Sequence, residues 1–272
     1  VTDLLTDSAP PDALIPPQLL RENILVLGQP RTGKSFAVKA ALVEPLLAAN
    51  RAPVIIDPTG AYWGLRLAAD GKGEGFKIAI LGGRHADVPI APEHGARIAD
   101  LVADGRLPCV IDLSLFDHTQ QLAFMRCFTT RLFAINTKPL HLIVDEADEF
   151  APQNPAKPKE EPDAGYVLHM MDRILRRGGI KGFRVTLITQ RPQVLHANLR
   201  GATRLLIALG MTSPLDIDAV HDWMKRGSPA DVIKEVLDSL PTMPIGTGWM
   251  YAPLFALRQR VAFPAIATFD CS

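Results

Sequence analysis

Short runs of apolar, often β-branched residues recur along the chain, over 23–27, 53–57, 76–81, 107–113, 140–145, 183–189 and 204–209. Unbroken runs of this length, rather than alternating ones, predict strands buried on both faces. Between many of them the apolar positions fall three and four apart, over 35–49, 93–103, 118–135 and 165–177, which predicts helices. Strand and helix in alternation predict an α/β fold: a mostly parallel central sheet with helices on both faces. Pro45 stands inside the first helical stretch. Its ring removes a backbone donor and crowds the preceding turn, so a kinked or shortened helix is expected there. Two loops are expected, over 71–75 and over 152–162; the second holds Pro152, Pro155, Pro158 and Pro162 with mixed charge and should be extended and mobile. The tail over 245–269 reads as a hairpin-like pair plus an edge strand. The expected organisation is an N-terminal extension (1–22), then a single domain (23–272) that ends in a C-terminal β extension over about 244–270.

Composition narrows the class. Of 272 residues 47% are apolar and 21% charged, which excludes a disordered or collagen-like chain. A chain this long buries about 75% of its unfolded surface, enough for a core without staples. Cys109, Cys127 and Cys271 fall in no CxxC or Cys/His spacing, which argues against a zinc site and a disulfide framework and fits a reducing, cytoplasmic setting. No apolar run approaches the roughly 18 residues of a membrane span, so no membrane partner is expected. The seven histidines show no ligand spacing, and no GxSxG points to a hydrolytic serine. Lys+Arg and Asp+Glu balance at 29 each, so an affinity for polyanions has to come from local asymmetry. That asymmetry exists: seven acids to two bases over 139–163, then eight bases to one acid over 171–204.

Three strand ends carry candidate chemistry. Gly28-Gln29-Pro30-Arg31-Thr32-Gly33-Lys34-Ser35 fits GxxxxGK[ST] between a strand and a helix, the context of a phosphate-binding loop. Glycines let consecutive N–H groups face one concavity at a helix N-terminus, Lys34 reaches the β and γ phosphates, and Ser35 offers its hydroxyl to Mg²⁺. Arg31, Thr32 and Phe36 belong to the same nucleotide-contacting stretch. The apolar run 140–144 ends in Asp145-Glu146, where a nucleotide hydrolase needs one carboxylate for the metal shell and another to orient the attacking water. Gln190, in Thr189-Gln190-Arg191-Pro192, can sense the γ-phosphate. Asp57 ends the second strand and either approaches the metal or the Lys34 side, or caps the turn that follows. Asp148 and Glu149 are assigned to the surface or to a subunit contact.

Taken together, GQPRTGKS, VIIDPTGAYWGLR, GFKIAILGGRHADVP, LHLIVDEADEFAPQ, GFRVTLITQRPQVL and the terminal TFD resemble the HerA/FtsK-like ATPases. Within that group the chain looks like the compact bacterial and phage HerA-like ATP-binding proteins, from about residue 20 to 270. The resemblance implies a RecA-like P-loop fold, hydrolysis of ATP with Mg²⁺, a homo-oligomeric ring, expected to be a hexamer, and helicase-like motor action on double-stranded DNA. It implies Lys34 and Ser35 as phosphate and metal contacts, Asp145 as metal carboxylate, Glu146 as catalytic base and Gln190 as sensor. Relatives carry an arginine where this chain has Gly179, so Arg176 or Arg177 becomes the candidate finger for a neighbouring subunit's nucleotide. The N-terminal barrel of full-length HerA proteins has no counterpart in the 20 or so residues before the first strand. The basic stretch over 171–204 has two readings, DNA and finger contacts or a solvated, subunit-pairing face. DEAD-box helicases are set aside for want of a second RecA-like domain and a Ser-Ala-Thr motif, and ABC subunits for want of LSGGQ. The competing class is a nucleotide-binding ring scaffold that recruits a nuclease or other accessory protein with little turnover.

Overall fold

A computed structural model describes residues 14–157, 159–225 and 227–271, so most of the expected N-terminal extension and Pro158 of the expected loop lie outside the described residues. The strands are β1 (Ile24–Leu27), β2 (Val54–Asp57), β3 (Ala79–Gly82), β4 (Cys109–Asp112), β5 (Leu140–Val144), β6 (Phe183–Thr189), β7 (Leu205–Leu209), β8 (Thr247–Ala252) and β9 (Leu257–Ala262). They form one sheet in the order β3-β4-β2-β5-β6-β1-β7-β8-β9. All pairs from β3 to β7 are parallel, and β8 and β9 add an antiparallel hairpin at the end. The expected α/β architecture and C-terminal β extension are therefore present. The third piece of the tail differs: instead of an edge strand it forms a single bridge, Thr268 to Ala68.

Successive strand residues enter opposite cores, as unbroken apolar runs require. Leu25, Leu27, Val54, Ile56, Leu142 and Val144 face one core, and Ile24, Val26, Ile55 and Ile143 face the other. The helices are α1 (Lys34–Val38), α2 (Glu44–Ala48), α3 (Gly95–Val102), α4 (His118–Ile135), α5 (Ala147–Phe150), α6 (Ala164–Arg177), α7 (Ala197–Gly201), α8 (Pro214–Met224) and α9 (Ala230–Ser239). Phe124 and Phe128 of α4 and Met170 and Ile174 of α6 fill the first core, while Ala37, Val38, Leu42 and Leu46 fill the second. Asp117 caps α4 by accepting from the Gln120 N–H at 2.8 Å, with the Gln120 amide oxygen accepting from Asp117 N in return. The helices α8 and α9 have no counterpart among the expected ones.

Pro45 does not shorten its helix. Between α1 and α2 the chain widens into a π-helical turn, Lys39–Val43, in which Glu44 N–H donates to Lys39 O. The wider turn lies just before the donor-less proline, so the helix runs on from Lys34 to Ala48 instead of breaking. Among its described residues the loop after α5 carries no helix or strand, but its start is tied down: Gln153 N donates to Val194 O, and Ala197 N donates to the Gln153 side chain at 2.8 Å.

The C-terminal residues strap this first helix. Buried Glu44 accepts from Ala267 N (2.9 Å), Thr268 N (3.0 Å) and Thr268 Oγ1 (2.6 Å). Fully buried Lys39 meets Asp270 at 3.1 Å. Hydrogen bonds to a charged group contribute about 1.5–3 kcal/mol, so Thr268→Val is expected to cost about 2 kcal/mol, read as a lowered urea midpoint at unchanged slope.

Candidate nucleotide and metal site

The parallel register sets the site. Leu27 of β1 pairs with Thr189 of β6, and Val144 of β5 pairs with Leu187 of β6, so β1, β6 and β5 end almost level. The glycine loop leaves β1, Gln190 leaves β6 and Asp145-Glu146 leave β5, which places Gln190 between the glycine loop and the two acids. Next along, β2 pairs with β5 and delivers Asp57 to the same edge. Open α/β sheets bind ligands at this carboxyl edge.

The loop has the backbone of an anion cradle. Arg31 and Gly33 take φ of +63° and +91°, and alternation of right- and left-handed residues turns amides into one concavity. A Cβ on Gly28 would sit 2.8 Å from Thr32 Oγ1 and 2.9 Å from Leu209 Cβ, so glycine is required there. Thr32 Oγ1 donates to Gln29 O at 2.8 Å, and Gly246 N, from the turn before β8, donates to Thr32 O at 3.2 Å. Lys34 is buried and donates its Nζ to Gln29 O at 3.0 Å. Burial lowers its pKa, opposed by the charges of Glu146, Asp145 and Asp148. Phe36 is half-buried against the second core, and Arg31 is exposed.

The acids are crowded. Asp145 is almost fully buried, and burial, with Glu146 and Asp57 alongside, raises its carboxyl to about 8. Glu146 turns the chain out of β5 at φ +43°, a left-handed conformation that costs a non-glycine residue about 1 kcal/mol or more. Its side chain accepts a short hydrogen bond from Gln190 Nε2. Burial raises its pKa, while the Gln190 bond and the Lys34 charge oppose that rise. Asp57 takes the capping role: its carboxylate accepts from Thr59 N, Thr59 Oγ1, Gly60 N and Tyr62 N at 2.8–3.2 Å. With those bonds made and no exposure, it acts on the site through its charge.

Asp148 belongs to the site rather than to the surface, because it is 1% exposed and accepts from Thr189 Oγ1 and from Arg191 Nε at 2.8 Å. It thereby grips both neighbours of Gln190. Arg191 also pairs with Glu149, which lies 3.7 Å from His118 at the start of α4. The clamp was invisible in sequence because its halves stand 43 residues apart. Arg176 and Arg177 lie elsewhere: α6 ends below the start of β6, and seven β6 residues at ~3.3 Å each put them about 20 Å from the carboxyl edge. Neither reaches the phosphate loop of its own chain.

A divalent cation fits this edge. Among the described residues no set of three His, Cys, Asp or Glu converges on one point. The residues that could hold one are one hydroxyl, Ser35, and one crowded carboxylate, Asp145, and phosphate oxygens and water would complete the shell. That division is how Mg²⁺ is held beside nucleotides, and a cation would relieve the repulsion that raises Asp145.

No family model matches the chain, and no curated protein matches it. Solved structures do. The genome-packaging NTPase B204 of Sulfolobus turreted icosahedral virus 2, in complex with ATPγS, superposes with a TM-score of 0.54 at 16% identity over 88% of this chain and 96% of that one. The bacterial conjugative coupling protein TrwBΔN70 gives 0.63 at 13% identity over 95% and 89%, and VirB4 of Thermoanaerobacter pseudethanolicus 0.55 at 13% over 89% and 89%. The fold is that of the RecA-like P-loop NTPases. Of these neighbours, B204 is described as a genome-packaging NTPase and TrwBΔN70 as a conjugative coupling protein.

Two outcomes are expected from this geometry. Arg191→Met leaves the buried Asp148 carboxylate without its cation and should cost about 3 kcal/mol, part of which Asp148→Asn restores in the double variant, both read by denaturant unfolding. Asp145 rises from 3.8 to about 8 on folding, so the folded chain holds an extra proton between those values. Its contribution is full below about pH 4 and lost as pH rises through about 8. The metal-free chain should lose stability over that window, and Asp145→Asn should flatten that part of the profile.

Proposed function

We propose that this chain is a Mg²⁺-dependent ATPase that works as a ring-forming motor on double-stranded DNA. The observation that carries the reading is the grouping of Lys34, Ser35, Asp145, Glu146 and Gln190 at the level ends of three adjacent parallel strands. In this reading the loop amides and Lys34 hold the phosphates, Ser35 and Asp145 hold the metal, and Glu146 orients the attacking water. Gln190, gripped through Thr189 and Arg191, stands where it exchanges its Glu146 bond for the γ-phosphate or its water. Bound Mg²⁺ would supply charge neutralisation at the phosphoryl oxygens, so the chain's own contribution is positioning and electrostatics.

The ring rests on the resemblance, and Arg176 and Arg177, both exposed and on the opposite edge of the sheet from the phosphate loop, are its candidate fingers for the nucleotide of a second copy. DNA as the substrate rests on the resemblance and on neighbours described as a DNA-packaging ATPase and a conjugative coupling protein. The basic stretch contributes less than its eight charges suggest. Arg173 and Lys181 lie over the Phe133 ring, Arg184 and Arg200 donate to backbone carbonyls, and Arg191 serves the acid clamp. Arg176 pairs with Asp172 at 3.6 Å, which leaves Arg177 and Arg204 as the exposed cations outside these contacts. Among the described residues no helix is long and apolar enough to cross a membrane.

The test is ATP turnover with and without linear double-stranded DNA at two salt concentrations. Turnover should rise with DNA, the stimulation should fade with salt as counterion release requires, and Lys34→Ala should abolish both. Glu146→Gln should lower turnover at least 100-fold yet retain ATP. Nucleotide binding with turnover no higher than that of Lys34→Ala under every condition would instead favour the ring scaffold, the reading that Gly179 in the finger position supports.

A further inference from the structure

Tyr62 is the largest side chain among those wholly withdrawn from solvent, and its hydroxyl has no hydrogen-bond partner. A buried donor without an acceptor is destabilising, and phenylalanine would fill the same volume without that cost. The position is nevertheless held firmly from several sides. Tyr62 N donates to Asp57 Oδ2 at 3.0 Å, which fixes the backbone at the end of the Asp57 turn. Lys39 Nζ lies 5.5 Å from the ring centroid, its own charge met by Asp270 of the C-terminal strap. The neighbouring Trp63 stacks on His85 at 3.9 Å and packs against Phe269. A side chain this constrained cannot turn its hydroxyl elsewhere to find a partner.

The hydroxyl faces the metal edge of the site. The charges acting on it are those of Asp145, Asp57 and Glu146, and the Ser35 hydroxyl stands beside it outside hydrogen-bonding geometry. A phenol carries its proton at neutral pH, so the hydroxyl is a donor. Asp57, the acid nearest in sequence, already has its acceptor positions taken by its own turn.

We propose that Tyr62 is a positioning residue for the metal ion: its hydroxyl donates to a water of the ion held by Ser35 and Asp145, and so orients the shell from outside. The inference rests on the nucleotide and metal reading above. Outer hydrogen bonds of this kind change metal affinity by about 10- to 100-fold when removed. A packing role alone would leave that affinity untouched.

The experiment uses Mn²⁺ with ATPγS as the probe and follows free Mn²⁺ by electron paramagnetic resonance. Tyr62→Phe should raise the Mn²⁺ Kd about tenfold, while ATPγS affinity in EDTA and the metal-free melting temperature stay equal to wild type or rise. An unchanged Mn²⁺ Kd overturns the proposal. A wild-type chain that retains no Mn²⁺ with ATPγS overturns the metal reading itself, a result distinct from equal affinities. Independently of any variant, 3-fluorotyrosine can be incorporated at the three tyrosines. The Tyr62 fluorine resonance should move on addition of Mg²⁺ with ATPγS and stay in place with ATPγS in EDTA, and a resonance indifferent to Mg²⁺ contradicts the assignment.

Discussion

Four parallel strands ending side by side are the constraint from which the site follows. Hydrogen-bond register aligns β1, β6, β5 and β2, so residues distant in sequence leave the sheet along one line. Because both faces of the sheet are packed against helices, slipping any one of these strands by a residue would drive apolar side chains into the wrong core. Hydrophobic burial therefore fixes the relative heights of the phosphate loop, the sensor and the acids, without any of those polar groups having to hold the others in place.

What the register brings together is electrostatically costly. Asp57, Asp145 and Glu146 lie close in a low-dielectric edge, and the fold answers each differently. Asp57 is satisfied by its own turn, Glu146 by Gln190, and Asp145 holds its proton until pH approaches about 8. Asp148, deeper in, is met by Arg191 and Thr189. Asp145, which accepts from Glu146 N at 3.0 Å, is the acid proposed to hold the metal, and among the described hydroxyls Tyr62 is the buried one without a partner.

Sequence made the sheet legible because its strands are continuous apolar runs, and all seven expected strands occur with ends shifted by three residues or fewer. The phosphate loop and the acid pair were legible because their spacing is itself the chemistry. Other features depended on distant partners. Asp148 reads as one more acid in an acidic stretch until Arg191 is folded against it, and the terminal Thr268 and Asp270 acquire meaning only beside Glu44 and Lys39, more than 220 positions away. The basic stretch depends on folded partners in the same way, since cation-π contact and carbonyl partners absorb charges that look available in a count. Pro214 begins α8 and Pro229 caps α9, places where their missing N–H is harmless. Pro45 shows the converse, a helix breaker accommodated by a π turn that local rules do not anticipate.

The central claim is that this edge binds a nucleotide with its metal, and a crystal structure of the chain with Mg²⁺ and ATPγS tests it most directly. The account requires the β and γ phosphates inside the 28–35 loop, Lys34 Nζ moved from Gln29 O onto them, and the ion between Ser35 and Asp145. Density for the nucleotide anywhere else, or an ion held away from both residues, would contradict it.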